Sequence, residues 1–243
     1  MENYPAADWS PIDMLQRAWE RALPYLIVLV GATFGVFVVQ FGVGLVFGLI
    51  QGIIVGIAAA VAQERGGQDA ELAAQVIRIL LDIGKSIITF PLTMFTTGAL
   101  ARLALSVARG EPADLGAFSQ AFSKIGSLMF AGLLTGLAVA LGLCFCIIPG
   151  IIVGIGLQFV VFVVMDTELG AIGSLQYAWA VAKDHLLNLF VFGLLVSLIA
   201  LVALCGTCGI GLLVFQPVAA VAQALIYVHV SGRTQDFLPD PVV

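Results

Sequence analysis

Charged residues are almost absent from three long stretches of this 243-residue chain. No acidic or basic residue occurs from Leu23 to Gln63, from Ile125 to Met165 or, apart from His229, from Leu186 to Gly232. Charged residues make up only 10% of the chain and apolar residues 61%, which excludes a soluble globular domain. Each stretch exceeds the ~20 residues needed to cross ~30 Å of hydrocarbon. The sequence therefore predicts a polytopic membrane protein.

The alternation of apolar and polar residues that is typical of membrane strands is also missing from these stretches. Helices satisfy every backbone hydrogen bond within their own segment in lipid, so we predict an all-α integral membrane protein. The 15 acidic residues outnumber the 10 basic residues, which argues against a nucleic-acid partner. The lipid bilayer is the predicted partner, and the sequence identifies no soluble one.

The residue types that catalysis needs are not arranged for it. The chain has no constellation of Ser, His and Asp, no glycine loop opening a soluble helix and no cluster of three His or acidic residues. We therefore predict that it is not an enzyme and that it holds no cofactor.

An eleven-residue pattern occurs twice, with six identical positions at an offset of 160. The shared residues are Ile12, Leu15, Gln16, Ala18, Trp19 and Ala22 in one copy and Ile172, Leu175, Gln176, Ala178, Trp179 and Ala182 in the other. A fainter copy contains Leu115, Phe118, Ala121 and Phe122. We therefore predict one membrane domain, 1–243, made of three similar units with an acidic tail, at residues 12–108, 114–165, 172–230 and 231–243.

Each unit is predicted to begin with a cytoplasmic, amphipathic interfacial helix, at 12–22, 114–124 and 172–183. Two membrane helices joined on the far side follow it, which gives six transmembrane helices as three hairpins. The predicted joints are Arg65 to Gln68, Ile148 to Gly150 and Cys205 to Gly209.

The run from Leu23 to Gln63 is long enough for two spans, but it lacks the polar residues that a tight turn in lipid needs. One long helix places seven bases on one side of the membrane and three on the other, whereas a hairpin gives five and five. The positive-inside rule thus favours one helix, with both termini cytoplasmic in a bacterial inner membrane.

Such a helix would be about 60 Å long, twice the thickness of the hydrocarbon. Its far half carries a glycine ridge at four-residue spacing, formed by Gly44, Gly48, Gly52 and Gly56. The next helix has an apolar stripe, from Leu72 to Ile87, and a polar stripe that includes Asp82 and Lys85 as an expected pair. One amphipathic partner cannot cover a helix that is apolar on all sides, so we predict a homo-oligomer with the ridge at its interface. The alternative is a tilted or re-entrant segment that packs only within the monomer.

Four cysteines form two pairs, Cys144 with Cys146 and Cys205 with Cys208, both at predicted extracytoplasmic helix ends. Three interpretations remain open: small buried apolar residues, one or two disulfides, and a metal site, which nearby His or acidic partners do not support.

Prolines at 91, 149 and 217 interrupt the predicted spans and free backbone carbonyls. The polar residues that could line a cavity at such breaks are Thr93, Gln158, Gln216 and Gln223. The alternative is a set of plain kinks in which amides and hydroxyls join neighbouring helices.

The stretch Ile147 to Ile152, followed by Phe159 to Asp166 and Trp179, resembles the membrane domain of glycerophosphodiester phosphodiesterase membrane-domain proteins and their stand-alone bacterial relatives. Further residues that resemble its last hairpin are Cys208, Gly209, Gly211, Pro217 and Tyr227. The resemblance implies a six-helix membrane domain without catalytic residues.

Together these patterns predict a non-enzymatic membrane protein that acts as an oligomeric scaffold or membrane-organising module. The alternative function is a transporter or channel for a small or lipidic molecule.

Overall fold

The computed structural model describes residues 9–65, 68–114, 116–207 and 209–232, and only the backbone of residues 61–65, 68–71 and 74. These residues form helices and no strand, as predicted. The helices are α1 (Pro11–Ala22), α2 (Leu26–Arg65), α3 (Gln68–Ala108), α4 (Gly116–Ser123), α5 (Ile125–Phe145), α6 (Ile147–Gly156), α7 (Val160–Asp166), α8 (Gly170–Ala182), α9 (Leu186–Gly206) and α10 (Ile210–Val230).

Several helical stretches are long and apolar enough to cross a membrane. Within the described residues they are Pro11–Ala60, Ile125–Phe145, Ile147–Asp166, Gly170–Gly206 and Ile210–Val230. The sixth predicted span, in α3, is not among them, and that helix carries Arg102 and several threonines in its second half. The chain thus has the helices of a membrane protein, and the count of six spans stays a prediction.

The long apolar run after Leu23 forms one helix, α2, and not a hairpin. The glycines from Gly42 to Gly44 lie inside this helix, as expected for a segment without polar residues to satisfy a turn. The breaker at Gly66 and Gly67 lies outside the described residues.

The repeat at an offset of 160 is also a repeat of secondary structure. The first helices of the two copies end at Ala22 and Ala182. Three-residue 3₁₀ turns follow at Leu23–Tyr25 and Lys183–His185, after which α2 and α9 begin. The third short helix, predicted at 114–124, is α4, which is shorter than predicted.

The second predicted hairpin differs from expectation at two places. Cys146, in an extended conformation, is the one residue between α5 and α6, so the predicted joint at Ile148 to Gly150 is wrong. Pro149 lies instead in the first turn of α6, where a proline removes no helical hydrogen bond. The span that follows is broken at 157–159 into α6 and α7.

The last joint lies where the sequence places it, between α9 and α10. Gly209 has a φ of +90°, a left-handed conformation that favours glycine. The Thr207 hydroxyl accepts a hydrogen bond from the Gly211 amide at 2.6 Å, which satisfies one free amide at the start of α10.

The described residues divide into two compact units. The first unit comprises residues 9–34 and 95–232. In it, α1 packs against α9 and α10, and α5 packs against α6, α7 and α8. The second unit comprises residues 35–94, which are parts of α2 and α3. In it, Gln51 of α2 donates a hydrogen bond to Asp82 of α3 at 2.8 Å.

Candidate functional site

The first unit contains a buried ion pair at the end of α7. Asp166, the last residue of α7, has a side chain that is only 6% exposed. Arg109, directly after α3, forms an ion pair with one carboxylate oxygen, and the Tyr227 hydroxyl of α10 donates to the other at 3.1 Å. We call these three residues the clasp, because they join three helices that are distant in the sequence.

The position of Asp166 is unfavourable without these partners. A carboxylate at the carboxyl end of a helix lies next to the negative end of the helix dipole. A charge taken out of water also loses solvation, which only a close and well-bonded counter-charge offsets. Arg109 supplies that charge, and Tyr227 supplies a second hydrogen bond.

Aromatic rings fix the clasp in place. Phe159 and Phe162 lie 5.9 and 6.0 Å, between ring centroids, from the Tyr227 ring. All three side chains are buried. Offset and tilted aromatic pairs at this separation are attractive, so the hydroxyl of Tyr227 is held in the direction of Asp166.

Basic side chains also bind the carbonyl oxygens at two helix ends near the clasp. Arg21 of α1 donates to the carbonyl oxygen of Ala108, the last residue of α3. Lys124 donates to the carbonyl oxygens of Val164 and Thr167, at 3.3 and 2.9 Å, where α7 ends. The last carbonyls of a helix have no partner within it and attract cations. These contacts therefore tie the helix ends of the first unit together.

The chemistry of this cluster is structural. Both carboxylate oxygens of Asp166 accept hydrogen bonds from clasp residues, so the group is not presented as a free base. Across the described parts of the chain, no group of three or more His, Cys, Asp or Glu residues could hold a metal ion. We therefore interpret the clasp as the anchor of the helix bundle.

The cysteines do not form a described cluster. Cys144, Cys146 and Cys205 are free and exposed, which differs from the interpretation as buried apolar residues. Cys208 lies outside the described residues.

The glycine ridge lies open on α2. A methyl group built on Gly44, Gly48, Gly52 or Gly56 would meet no other atom within 4 Å. Gly48, Gly52 and Gly56 are exposed, whereas Gly44 is half-buried. Within the second unit, the ridge therefore has no close neighbour among the described residues.

The apolar stripe of α3 does not pack on α2 as its pattern suggests. Its members are 51–67% exposed, and they are Leu72, Val76, Ile79, Leu80, Ile83 and Ile87. The expected ion pair of Asp82 with Lys85 is not among the ion pairs of the described residues, and Asp82 accepts a hydrogen bond from Gln51.

The four predicted cavity residues lie in different surroundings. Thr93 belongs to the second unit, is exposed and donates its hydroxyl to the Thr89 carbonyl of its own helix. Gln216 is exposed and Gln223 half-buried, both in α10. Gln158 lies at the break between α6 and α7, where its amide nitrogen is buried without a hydrogen-bond partner.

The clasp was missed by sequence reasoning, although one signal pointed to it. Asp166 is the first charged residue after a stretch of 41 residues without any, from Ile125 to Met165. A lone acid at the edge of an apolar span needs a counter-charge. Arg109 is a base that the predicted topology places on the same side of the membrane. Tyr227 gives no such signal, because a tyrosine near a span end commonly marks the membrane interface.

Comparisons with known proteins identify only distant relatives of the chain. Uncharacterized protein Rv2560 of Mycobacterium tuberculosis is 27% identical over 143 residues, which cover 59% of this chain and 43% of the relative. Uncharacterized protein Mb2590 of Mycobacterium bovis matches with the same identity and coverage. The chain thus spans less than half the length of these relatives. No family model and no solved structure matches it, so the resemblance to the glycerophosphodiester phosphodiesterase membrane domain stays a prediction.

Proposed function

We propose that the chain is an integral membrane scaffold that assembles with copies of itself through residues 35–94. The observation that carries this proposal is the unpartnered apolar surface of the second unit. The exposed apolar stripe of α3 and the open glycine ridge of α2 both belong to this unit.

No single environment suits this unit as a monomer. In water, each exposed Leu, Ile or Val would forfeit roughly 1.5–3 kcal/mol that full burial provides. In lipid, the exposed charges of α3, such as Arg78 and Asp82, would each cost roughly 2.5–3.5 kcal/mol at the bilayer centre. Self-association covers the apolar surface and leaves the polar stripe in water, which resolves both costs.

The glycine ridge makes a second copy of the chain the best-fitting cover. Small residues at four-residue spacing allow two helices to approach closely along the ridge. The methyl group tested at Gly48, Gly52 and Gly56 meets nothing, so the room for that approach exists.

The orientation that we propose has both termini cytoplasmic and six spans in a bacterial inner membrane. The contacts of the basic residues support it, because Arg21, Arg109 and Lys124 all bind at the ends of α3 and α7. Their common location agrees with the positive-inside rule if this end of the first unit faces the cytoplasm.

Transport of a small or lipidic molecule is the second candidate function. The observation that favours it is the break at 157–159 inside the stretch Ile147–Asp166, since broken helices form the substrate sites of many transporters.

Cysteine cross-linking in native membranes tests the scaffold proposal. In a variant whose four native cysteines are replaced by alanine, Gly52→Cys is expected to give a cross-linked dimer. Leu137→Cys is the matched control, because Leu137 is 55% exposed but lies on α5 of the first unit. A strictly monomeric pattern at Gly48, Gly52 and Gly56 alike would contradict the proposal.

A further inference from the structure

Two buried polar atoms lie without hydrogen-bond partners on facing helices of the first unit. They are Oγ1 of Thr135, on α5, and Nε2 of Gln158, at the break after α6. Such groups rarely stay unsatisfied, because removing them from water without a partner costs about 1–3 kcal/mol.

The packing of α5 on α6 fixes the relative level of these two residues. A methyl group on Gly142 would lie 2.9 Å from Cα of Gly150, and one on Gly154 would lie 3.9 Å from Cγ2 of Val139. The two helices are therefore antiparallel. Gly142 lies level with Gly150, and Val139, three residues earlier on α5, lies level with Gly154, four residues later on α6. Extended past the end of α6 at Gly156, this register brings Thr135 level with Gln158.

The spacing of the residues leads from the glycine contacts toward Thr135 and Gln158. Thr135, Val139 and Gly142 follow each other at spacings of four and three residues, which is one face of a helix. Gly150, Gly154 and Gln158 follow at spacings of four on the other chain segment. On α5, the face in contact at the glycines thus continues to Thr135, and Gln158 follows Gly154 just beyond the end of α6.

Their level is the middle of the membrane. Ten residues of α5 precede Thr135 and ten follow it, so it lies about 15 Å from either end of the helix. The hydrocarbon layer is ~30 Å thick, which places the pair near its centre.

The backbone is irregular at the same level. The backbone N–H of Gln158 donates a hydrogen bond to the Ile155 carbonyl at 3.4 Å, and that of Val160 donates to the Leu157 carbonyl at 3.1 Å. Both bonds reach three residues back instead of four. Trp179 of α8 closes this region, since a methyl group on Gly156 would lie 2.3 Å from its ring. The break is thus covered by protein, as irregular backbone at this depth must be.

We propose that Thr135 and Gln158 form a binding site for a small oxygen-bearing guest at the membrane midplane. A carboxamide N–H donates to an oxygen, and a threonine hydroxyl donates to it or accepts from it. A water molecule fits this chemistry, and so does a hydroxyl or carbonyl oxygen of a lipid. The site goes beyond the scaffold function and does not depend on self-association.

Nuclear magnetic resonance of the intact chain in nanodiscs of deuterated lipid tests the site. With side-chain nitrogen labelling of glutamine, the Gln158 amide is expected to show cross-relaxation to a guest proton. A cross-peak to water identifies water as the guest, whereas one that appears only when protonated lipid is used identifies a lipid. A Gln158 amide that shows neither, and is bonded directly to a protein carbonyl, would overturn the site.

Thermal stability gives an independent readout from variants. Thr135→Val and Gln158→Leu keep the side-chain volume but remove the polar atoms, so each is expected to lower the melting temperature. Each is also expected to remove or weaken the cross-peak between the Gln158 side-chain amide and the guest. Gln16→Leu is the matched control, because Gln16 is exposed on α1, and it is expected to leave both readouts unchanged. An unchanged or higher melting temperature of the double variant would show that the two atoms bind nothing and would overturn the proposal.

Discussion

Asp166 and Glu168 are separated by one residue, and each forms an ion pair with a basic side chain. The two pairs differ in how far the acid is exposed to solvent. The Asp166 side chain is 6% exposed and pairs with Arg109, whereas the Glu168 side chain is 90% exposed and pairs with Lys124 at 2.8 Å. Exposed ion pairs contribute little because water screens them and the side chains lose freedom. Breaking a buried pair leaves an uncompensated charge. Comparing the two acids therefore shows how much the burial of an ion pair adds to its effect on stability.

Asp166→Asn is therefore expected to lower the free energy of unfolding by about 2 kcal/mol, since Arg109 loses its counter-charge but keeps partial access to water. Glu168→Gln is the control and is expected to change it by less than about 1 kcal/mol. Denaturation in mild detergent, followed by the fluorescence of the tryptophans, measures both. Equal effects of the two substitutions would contradict the role of the clasp.

At the scale of elements, the two repeated short helices α1 and α8 bury small residues and leave their tryptophans partly exposed. Ala18 and Ala22 of α1 are fully buried, and so are Ala178 and Ala182 of α8. The tryptophans of the two copies remain 45% and 37% exposed. The alanines of the repeat thus form a narrow seam that lets a short helix lie close to the bundle, while the tryptophan beside it stays partly exposed.

Ala18→Leu is expected to lower the free energy of unfolding by about 1–3 kcal/mol, because the seam leaves no room for three more carbon atoms. Gln16→Leu, on the exposed side of the same helix, introduces the same side chain and is expected to be nearly neutral. The melting temperatures of the two variants in nanodiscs make the comparison. Equal loss in both would mean that the side chain itself, and not the seam, is responsible.

At the scale of the whole molecule, composition and breakers predicted most elements but few of the contacts. The single helix α2 followed from the absence of turn residues between Leu23 and Gln63, and the joint at Gly209 followed from its glycine. The break at 157–159 gave no signal, because Leu157 and Phe159 look like ordinary members of a span. Its stability depends on packing against other helices, which a local pattern does not contain.

The clasp was also beyond the reach of local patterns. Arg109 and Asp166 are 57 residues apart, and Asp166 and Tyr227 are 61 apart, so their meeting depends on how three helices pack. In the second unit, the pattern of α3 did not predict which apolar residues are covered. Ile77 and Leu81 are half-buried, whereas the members of the apolar stripe are exposed.

The mass of the intact chain released from native-lipid nanodiscs tests the central claim of self-association most directly. We predict that native mass spectrometry finds a multiple of the chain mass. Gly52→Leu should reduce that assembly because it fills the ridge, whereas Gly42→Leu, at an equally open glycine outside the ridge, should preserve it. A single-chain mass for the unmodified protein would contradict the claim.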